Sequence, residues 1–267
     1  MKPNRLKQVM AEGRTAVGQM LMEFGTRGIA RILDAADLDF VVLDMEHSPF
    51  GVTEISDLIA WFKGTTITPI VRVPQIEYHF IAKTLDLGAL GIMVPNVKTA
   101  DEARAIVDAA KYAPMGNRGV ALGNTTSDFK KVEPKDFLSF ANENTTVICQ
   151  IESQKGVDNV EAIARTPGVD ALWIGHFDLT QDLGIPGQFT HDRFFEAVRK
   201  VVDTGREYGL GVGILPTNLQ IAEEWLNLGF NIISYGGDIT VFCDTMTHAV
   251  KEVRRMASDQ VELPPAT

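Results

Sequence analysis

Hydrophobic and polar positions along this chain alternate between two textures. Short, β-branched apolar runs read as buried strands, and the segments between them bring apolar residues back at helical spacing. The runs predict strands over 16–21, 40–43, 69–73, 91–95, 147–152, 171–175, 211–215 and 231–235. The spacing predicts helices over 27–36, 54–63, 76–87, 100–111, 137–143, 157–165, 194–208, 221–228 and 239–256. An irregular section, 112–134, carries Gly116, Gly119, Gly123 and the polar run Asn124-Thr125-Thr126-Ser127-Asp128, and a polar tail carries Pro264-Pro265. Eight strand–helix units imply a parallel sheet with helical crossovers, and eight units closing on themselves make a (β/α)₈ TIM barrel, a single domain over 1–267. The rival doubly wound sheet usually shows a Gly-rich phosphate turn after its first strand. Here Glu23-Phe24-Gly25-Thr26-Arg27-Gly28 lacks that spacing.

Composition then removes several functions. The 267 residues are 45% hydrophobic, enough for one large core, and 35 acidic against 25 basic side chains give a net charge of −10. No Lys/Arg cluster interleaves with aromatics, so neither nucleic acid nor an anionic membrane surface is expected as a partner. No run reaches the length of a membrane span, and the first residues form no apolar leader. Cys149 and Cys243 stand far apart without metal-ligand spacing, which suits free thiols in a reducing cytoplasm.

A barrel gathers the C-terminal ends of its strands at one rim, so the residues that follow each strand become one candidate site. Strand two ends in Asp44-Met45-Glu46-His47-Ser48-Pro49 and strand three in Arg72. A carboxylate beside an imidazole can tune it as an acid–base group; the competing reading is a cap at Asp44 and a solvent-facing His47. Arg72 at a rim needs an anion, either a bound carboxylate or an ion-pair partner in Glu46 or Asp44. Strand five ends in Gln150 and Glu152, and strand six in Gly175-His176-Phe177-Asp178. Glu152 and Asp178 are the first acids on consecutive strands, so they form either a carboxylate pair for Mg²⁺ or Mn²⁺, with Co²⁺ in a looser site, or two helix caps. Gly175 would let a ligand approach backbone N–H groups beside Asp178. His79, His191 and His248 read as surface or packing residues.

With these residues in place the chain resembles the HpcH/HpaI aldolases, metal-dependent class II pyruvate aldolases. The resemblance runs from about Gly18 to Met256. It is carried by Asp44-Met45-Glu46-His47-Ser48, Arg72-Val73-Pro74, Leu85-Asp86-Leu87-Gly88-Ala89, Gly116-Asn117-Arg118-Gly119, Gln150-Ile151-Glu152, Trp173-Ile174-Gly175 and Asp178-Leu179. It implies reversible cleavage of a 4-hydroxy-2-oxo acid to pyruvate and an aldehyde through a metal-held pyruvate enolate. Glu152 and Asp178 would hold the divalent metal and Arg72 would contact the pyruvate oxygens. His47, aided by Asp44, would move protons through a water. Gln150, Gly175, Phe177 and Leu215 would line the substrate pocket. No nucleotide or pyridoxal cofactor is implied, and no lysine is read at the rim, which argues against a Schiff base. The resemblance also implies a homo-hexamer, a trimer of dimers exchanging the C-terminal helix, whose stripe Phe242, Met246, Val250 and Val253 recurs at helical spacing.

Two places depart from the family pattern. Gly175-His176-Phe177-Asp178 replaces the common Gly-Pro-Ala/Ser-Asp, so His176 becomes a possible added ligand or proton carrier. Val120-Ala121-Leu122 follows Arg118-Gly119 where an Arg-Ala pair is frequent. Acyl-CoA lyases and phosphoenolpyruvate enzymes share the barrel, but a CoA user should carry extra basic residues for the nucleotide phosphates. A non-catalytic 2-oxo acid binder should have lost His47 or a metal carboxylate, and all are present.

Overall fold

The structure is a computed structural model that describes residues 1–259; the Pro264-Pro265 tail lies outside the described residues. Eight parallel strands close a barrel in sequence order: β1 (Ala16–Leu21), β2 (Phe40–Asp44), β3 (Thr68–Arg72), β4 (Gly91–Val94), β5 (Thr146–Ile151), β6 (Ala171–Ile174), β7 (Gly211–Ile214) and β8 (Ile232–Gly237). The helices are α1 (Arg5–Ala11), α2 (Ile29–Asp34), α3 (Val52–Phe62), α4 (Tyr78–Asp86), α5 (Ala100–Ala110), α6 (Pro134–Asn144), α7 (Gln154–Asp158), α8 (Val160–Ala164), α9 (His176–Asp182), α10 (Asp192–Glu207), α11 (Leu219–Leu228) and α12 (Asp238–Asp259). The eight strands and the barrel stand where the sequence pattern puts them, apart from a residue or so at some ends. The helix expected over 157–165 is two short helices broken at Asn159.

Period-two alternation explains how near-continuous apolar strands build two cores. Ala16, Met20, Phe40, Val42, Ile70, Met93, Ile148, Ala171, Trp173 and Ile232 fill the barrel interior. Their strand neighbours, among them Val41, Leu43, Val71, Ile92, Cys149, Leu172 and Ile214, face the helices. Room for the Trp173 ring inside comes from Gly213 across the β6–β7 pair, where a Cβ would stand 2.1 Å from the indole. The floor is closed by α1, an element the strand–helix pattern did not show. Asn4 caps it by accepting from the Lys7 backbone N–H, and Leu6 and Val9 plug the interior from below.

Candidate active site

Strand register creates the first part of the site. Asp44 and Arg72 are direct cross-strand partners at the ends of β2 and β3. Arg72 donates from Nε to Asp44 Oδ1 at 2.7 Å and from Nη2 to Asp44 Oδ2 at 2.8 Å, the two-pronged pairing a guanidinium is shaped for. The same oxygens accept the backbone N–H groups of Glu46 and His47 at 2.9 and 3.1 Å. Asp44, fully buried at 0% exposure, therefore has all of its bonds within the protein. Burial alone would lower the Arg72 pKa, but Asp44 together with Glu46 and Glu152 holds it above its ordinary value.

Asp44 caps the turn through the His47 backbone and anchors Arg72, and it makes no hydrogen bond to the imidazole. Glu46 lies nearest instead, its Oε2 3.8 Å from His47 Nε2 and 3.3 Å from Arg72 Nη1. This oxygen is buried and, despite that proximity, has no hydrogen-bond partner of proper geometry. The Glu46 pKa is raised, first by burial and then by Asp44 and Asp178, against the pull of Arg72. The His47 side chain is 57% exposed, open to water at the rim.

The second part comes from β5 and β6. Glu152 follows β5 and is buried. Its Oε1 accepts the Asn96 backbone N–H at 2.6 Å and its Oε2 accepts Gln150 Nε2 at 2.5 Å. Asn96 can offer that N–H because it adopts the left-handed conformation (φ 58°) after Pro95, one that asparagine tolerates better than most residues. Burial pushes the Glu152 pKa up to about 7, with Glu46 and Asp178 adding like-charge repulsion and the Gln150 and Asn96 bonds opposing. Gly175 is needed for this packing, since a Cβ there would lie 2.1 Å from Glu152 Oε2. Its own N–H is taken by Ile151 O at 3.2 Å. Neither acid is a helix cap: Ser153 caps α7, and Asp178 lies inside the first turn of α9.

Glu46, His47, Asn96, Lys98, Glu152, Ser153, Asp178, Gln181 and Asp182 line one cavity of about 500 Å³. Lys98 is a lysine that the sequence reading did not place at the rim. It is half-buried at the cavity wall, whereas Schiff-base lysines work from desolvated pockets. Its position four residues past β4 was the available signal. No group of three or more His, Cys, Asp or Glu side chains is arranged to hold a metal among the described residues. The donor set nevertheless suits a hard cation. Glu46, Glu152 and Asp178 repel one another, with Arg72 offsetting part of that charge at Glu46, and the buried Gln150 Oε1 has no hydrogen-bond partner. Two protein carboxylates with water completing the shell is an ordinary Mg²⁺ arrangement.

Phe177 and Leu215 lie elsewhere. With His176 they line a second, larger cavity of about 660 Å³ outside α9. His176 is half-buried among Phe177, Phe189 and Trp225 at ring distances of 4.7, 5.2 and 5.8 Å, and desolvation lowers its pKa to about 4. It lines that cavity rather than the carboxylate one, so neither added ligation nor proton transfer there fits its position.

The profile of the HpcH/HpaI aldolase/citrate lyase family matches residues 25–245. The chain belongs to this family. It is 34% identical over 240 residues to a 5-keto-4-deoxy-D-glucarate aldolase of Shigella sonnei, covering 90% of this chain and 93% of that one. An HpcH/HpaI aldolase from Desulfitobacterium hafniense superposes with a TM-score of 0.89 at 31% identity, covering 98% of each chain. An HpcH/HpaI aldolase/citrate lyase family protein from Burkholderia cenocepacia gives 0.88 at 32% identity, covering 94% of this chain and 99% of that one. This chain is accordingly an aldehyde-lyase of the class II pyruvate aldolase kind, acting on small molecules. Such aldolases generally depend on a divalent metal. No helix among the described residues is long and apolar enough to cross a membrane.

Proposed function

We propose that the rim cavity binds the pyruvate half of a 4-hydroxy-2-oxo acid, with Glu152 and Asp178 holding a divalent ion, Mg²⁺ or Mn²⁺ and, in a looser site, Co²⁺. Bound there, the ion would act as a Lewis acid for the 2-oxo group. Arg72 meets the charge that develops on the pyruvate oxygens. Asp44 engages its Nε and Nη2, and Nη1 lies 3.3 Å from Glu46 Oε2, a carboxylate of the cavity wall. Gln150 offers its unpartnered Oε1 to the bound molecule. His47, exposed at the rim and beside Glu46, removes the 4-hydroxyl proton through a water. The C3–C4 bond then breaks, its electron pair moves into the pyruvate enolate, and protonation at C3 releases pyruvate beside the aldehyde.

The observation that carries this reading is the gathering of Glu46, His47, Glu152 and Asp178 around one cavity next to the Arg72–Asp44 pair. Pyruvate release from a panel of 4-hydroxy-2-oxo acids, before and after chelation and on return of Mg²⁺, tests it. Full turnover after exhaustive chelation would overturn the metal role.

The assembly reading also belongs here. On α12, Phe242, Met246, Val250 and Val253 are all exposed, with Ile239 and Met256 extending the stripe. The helix meets its own barrel chiefly through β1 and β8. An apolar stripe of this length facing water favours exchange of α12 between subunits within a homo-hexamer. Light scattering that shows a monomer at micromolar concentration would remove that assembly. A cytoplasmic setting suits the two free thiols.

A further inference from the structure

Cleavage takes a proton from the 4-hydroxyl and ends with a new C3–H bond, so a group at the site must deliver a proton to C3. Four carboxylates line the cavity: Glu46, Glu152, Asp178 and Asp182. Glu152 and Asp178 are assigned to the ion. Asp182 is exposed, and its Oδ2 accepts the Gln154 N–H at 2.7 Å. Asp44, the other acid beside Arg72, has both oxygens held by the guanidinium and by two backbone N–H groups. Glu46 differs from all of these. Its Oε2 is buried without a hydrogen-bond partner, and it lies 3.3 Å from Arg72 Nη1 and 3.8 Å from His47 Nε2.

That placement touches both ends of the reaction. Arg72 meets the pyruvate oxygens, and C3 is bonded to the carbon that carries the 2-oxo group, so a carboxylate beside Arg72 stands next to the enolate. His47 receives the 4-hydroxyl proton, and Glu46 is the acid nearest its ring. A carboxyl that gives up and regains a proton in each turnover works best with a pKa nearer the working pH than that of a free carboxylate. Burial raises the Glu46 pKa in that direction, with Asp44 and Asp178 adding to it and Arg72 opposing.

We infer that Glu46 is the catalytic acid–base group at C3, returning to the enolate the proton that His47 removed from the hydroxyl. The inference rests on the aldolase reading and assigns a step which that reading leaves open. The imidazolium passes its Nε2 proton to Glu46 Oε2, directly as the exposed ring turns or across one water. The Glu46 O–H bond then breaks as the enolate's electron pair forms the C3–H bond, and Glu46 is a carboxylate again. The proton lost at oxygen is gained at carbon, so no further reactant is needed. In the synthetic direction the Glu46 carboxylate removes a C3 proton from pyruvate.

Exchange of the pyruvate C3 protons with D₂O, followed by NMR with Mg²⁺ present, is the test. Glu46→Gln should lower the exchange rate by about 10²-fold or more, the scale of losing a general acid–base group. Pyruvate Kd from isothermal titration should stay within about threefold of the parent's, because a group used only to move the proton leaves binding alone. Glu46→Asp keeps a carboxylate on a shorter stem and should recover part of the lost exchange. His47→Ala should lower exchange much less than Glu46→Gln does, since pyruvate has no hydroxyl proton to remove. Exchange in Glu46→Gln close to the parent rate overturns the inference. A fall in exchange matched by an equal weakening of pyruvate binding overturns it too, and leaves Glu46 as an ion-pair partner of Arg72 alone. A parent enzyme that cleaves 4-hydroxy-2-oxo acids without any C3 exchange removes Glu46 from C3 while the aldolase reading stands. Absence of both cleavage and exchange in the parent sinks that reading and the inference with it.

Discussion

The two ends of the barrel bury similar polar groups and treat them in opposite ways. At the floor, Lys111 donates to Asn142 O at 2.7 Å and Thr145 O at 2.5 Å, with Asp170 3.6 Å away. Asp170 also accepts Lys7 Nζ and the Val147 N–H. Asn4 bonds Leu90 O, Asn144 O and Thr146 Oγ1. Among the described residues, none of these side chains leaves a buried polar atom without a partner. At the rim, Glu46 Oε2 and Gln150 Oε1 are left without a hydrogen-bond partner, and four carboxylates line one cavity. A buried polar group without a partner costs stability. The cluster around Lys111, Asp170 and Asn4 avoids that cost, although Tyr112 Oη and Arg118 Nε and Nη1 beside it do not, while the rim carries it on carboxylate and amide oxygens that a bound cation or ligand could meet.

Glu152→Gln should break the contrast most sharply. Turnover should fall about 10³-fold or more, the scale of losing a pre-placed charge-stabilising group. The metal-free protein should melt no lower at pH 8, because a neutral amide relieves the repulsion from Glu46 and Asp178. A lower melting temperature with intact turnover would make Glu152 an ordinary floor-like residue.

His47→Ala should come next. Aldol cleavage is expected to slow by about 10²-fold or more. Oxaloacetate decarboxylation, which has no hydroxyl proton to remove, should slow much less. A cleavage-to-decarboxylation ratio equal to that of the parent would remove His47 from the proton path. Arg72→Lys keeps the charge but loses the fork, so both reactions should fall together by about 10- to 100-fold, the equivalent of one charged hydrogen bond. Asp44→Asn should resemble Arg72→Lys rather than His47→Ala, since Asp44 bonds the guanidinium and not the imidazole.

The smallest effect sharpens the comparison through pH. Glu152 is raised from about 4.5 to about 7 in the folded, metal-free protein. The folded state then holds a proton that the unfolded state has lost, so its contribution is present at low pH and fades as pH rises through 7. Lys111 is lowered by burial from 10.5 to about 8. Between those values the unfolded chain binds the extra proton, so stability from this site grows as pH rises. Melting temperatures of metal-free protein across pH 5–10 should show the falling limb vanish in Glu152→Gln and on addition of Mg²⁺. The rising limb should flatten in Lys111→Met. A falling limb that survives in Glu152→Gln would assign it to other groups.

Strand periodicity made the barrel legible, since alternate residues of β2 to β8 meet two different cores. The helix α1 escaped because it is short, although Asn4 followed by Leu6, Val9 and Met10 carries a cap and an apolar stripe. Glu152 and Asp178 could be picked out because strand ends converge in a barrel, and Arg72 for the same reason. The partner of Arg72 depended on register: Asp44 and Arg72 are cross-strand neighbours, which spacing along the chain does not express. That neighbour relation also moved Asp44 away from His47. The aromatic cavity was hidden because its walls come from segments between His176 and Trp225 that touch only after folding.

The seven-residue α9 has a consequence for how this enzyme could be altered. It stands as a partition with a different tenant on each side. His176 and Phe177 can be exchanged for other side chains while Asp178, on the opposite face, keeps its place. An engineer, or natural drift, could therefore recut the larger cavity by rewriting two adjacent codons and leave Asp178 where it stands.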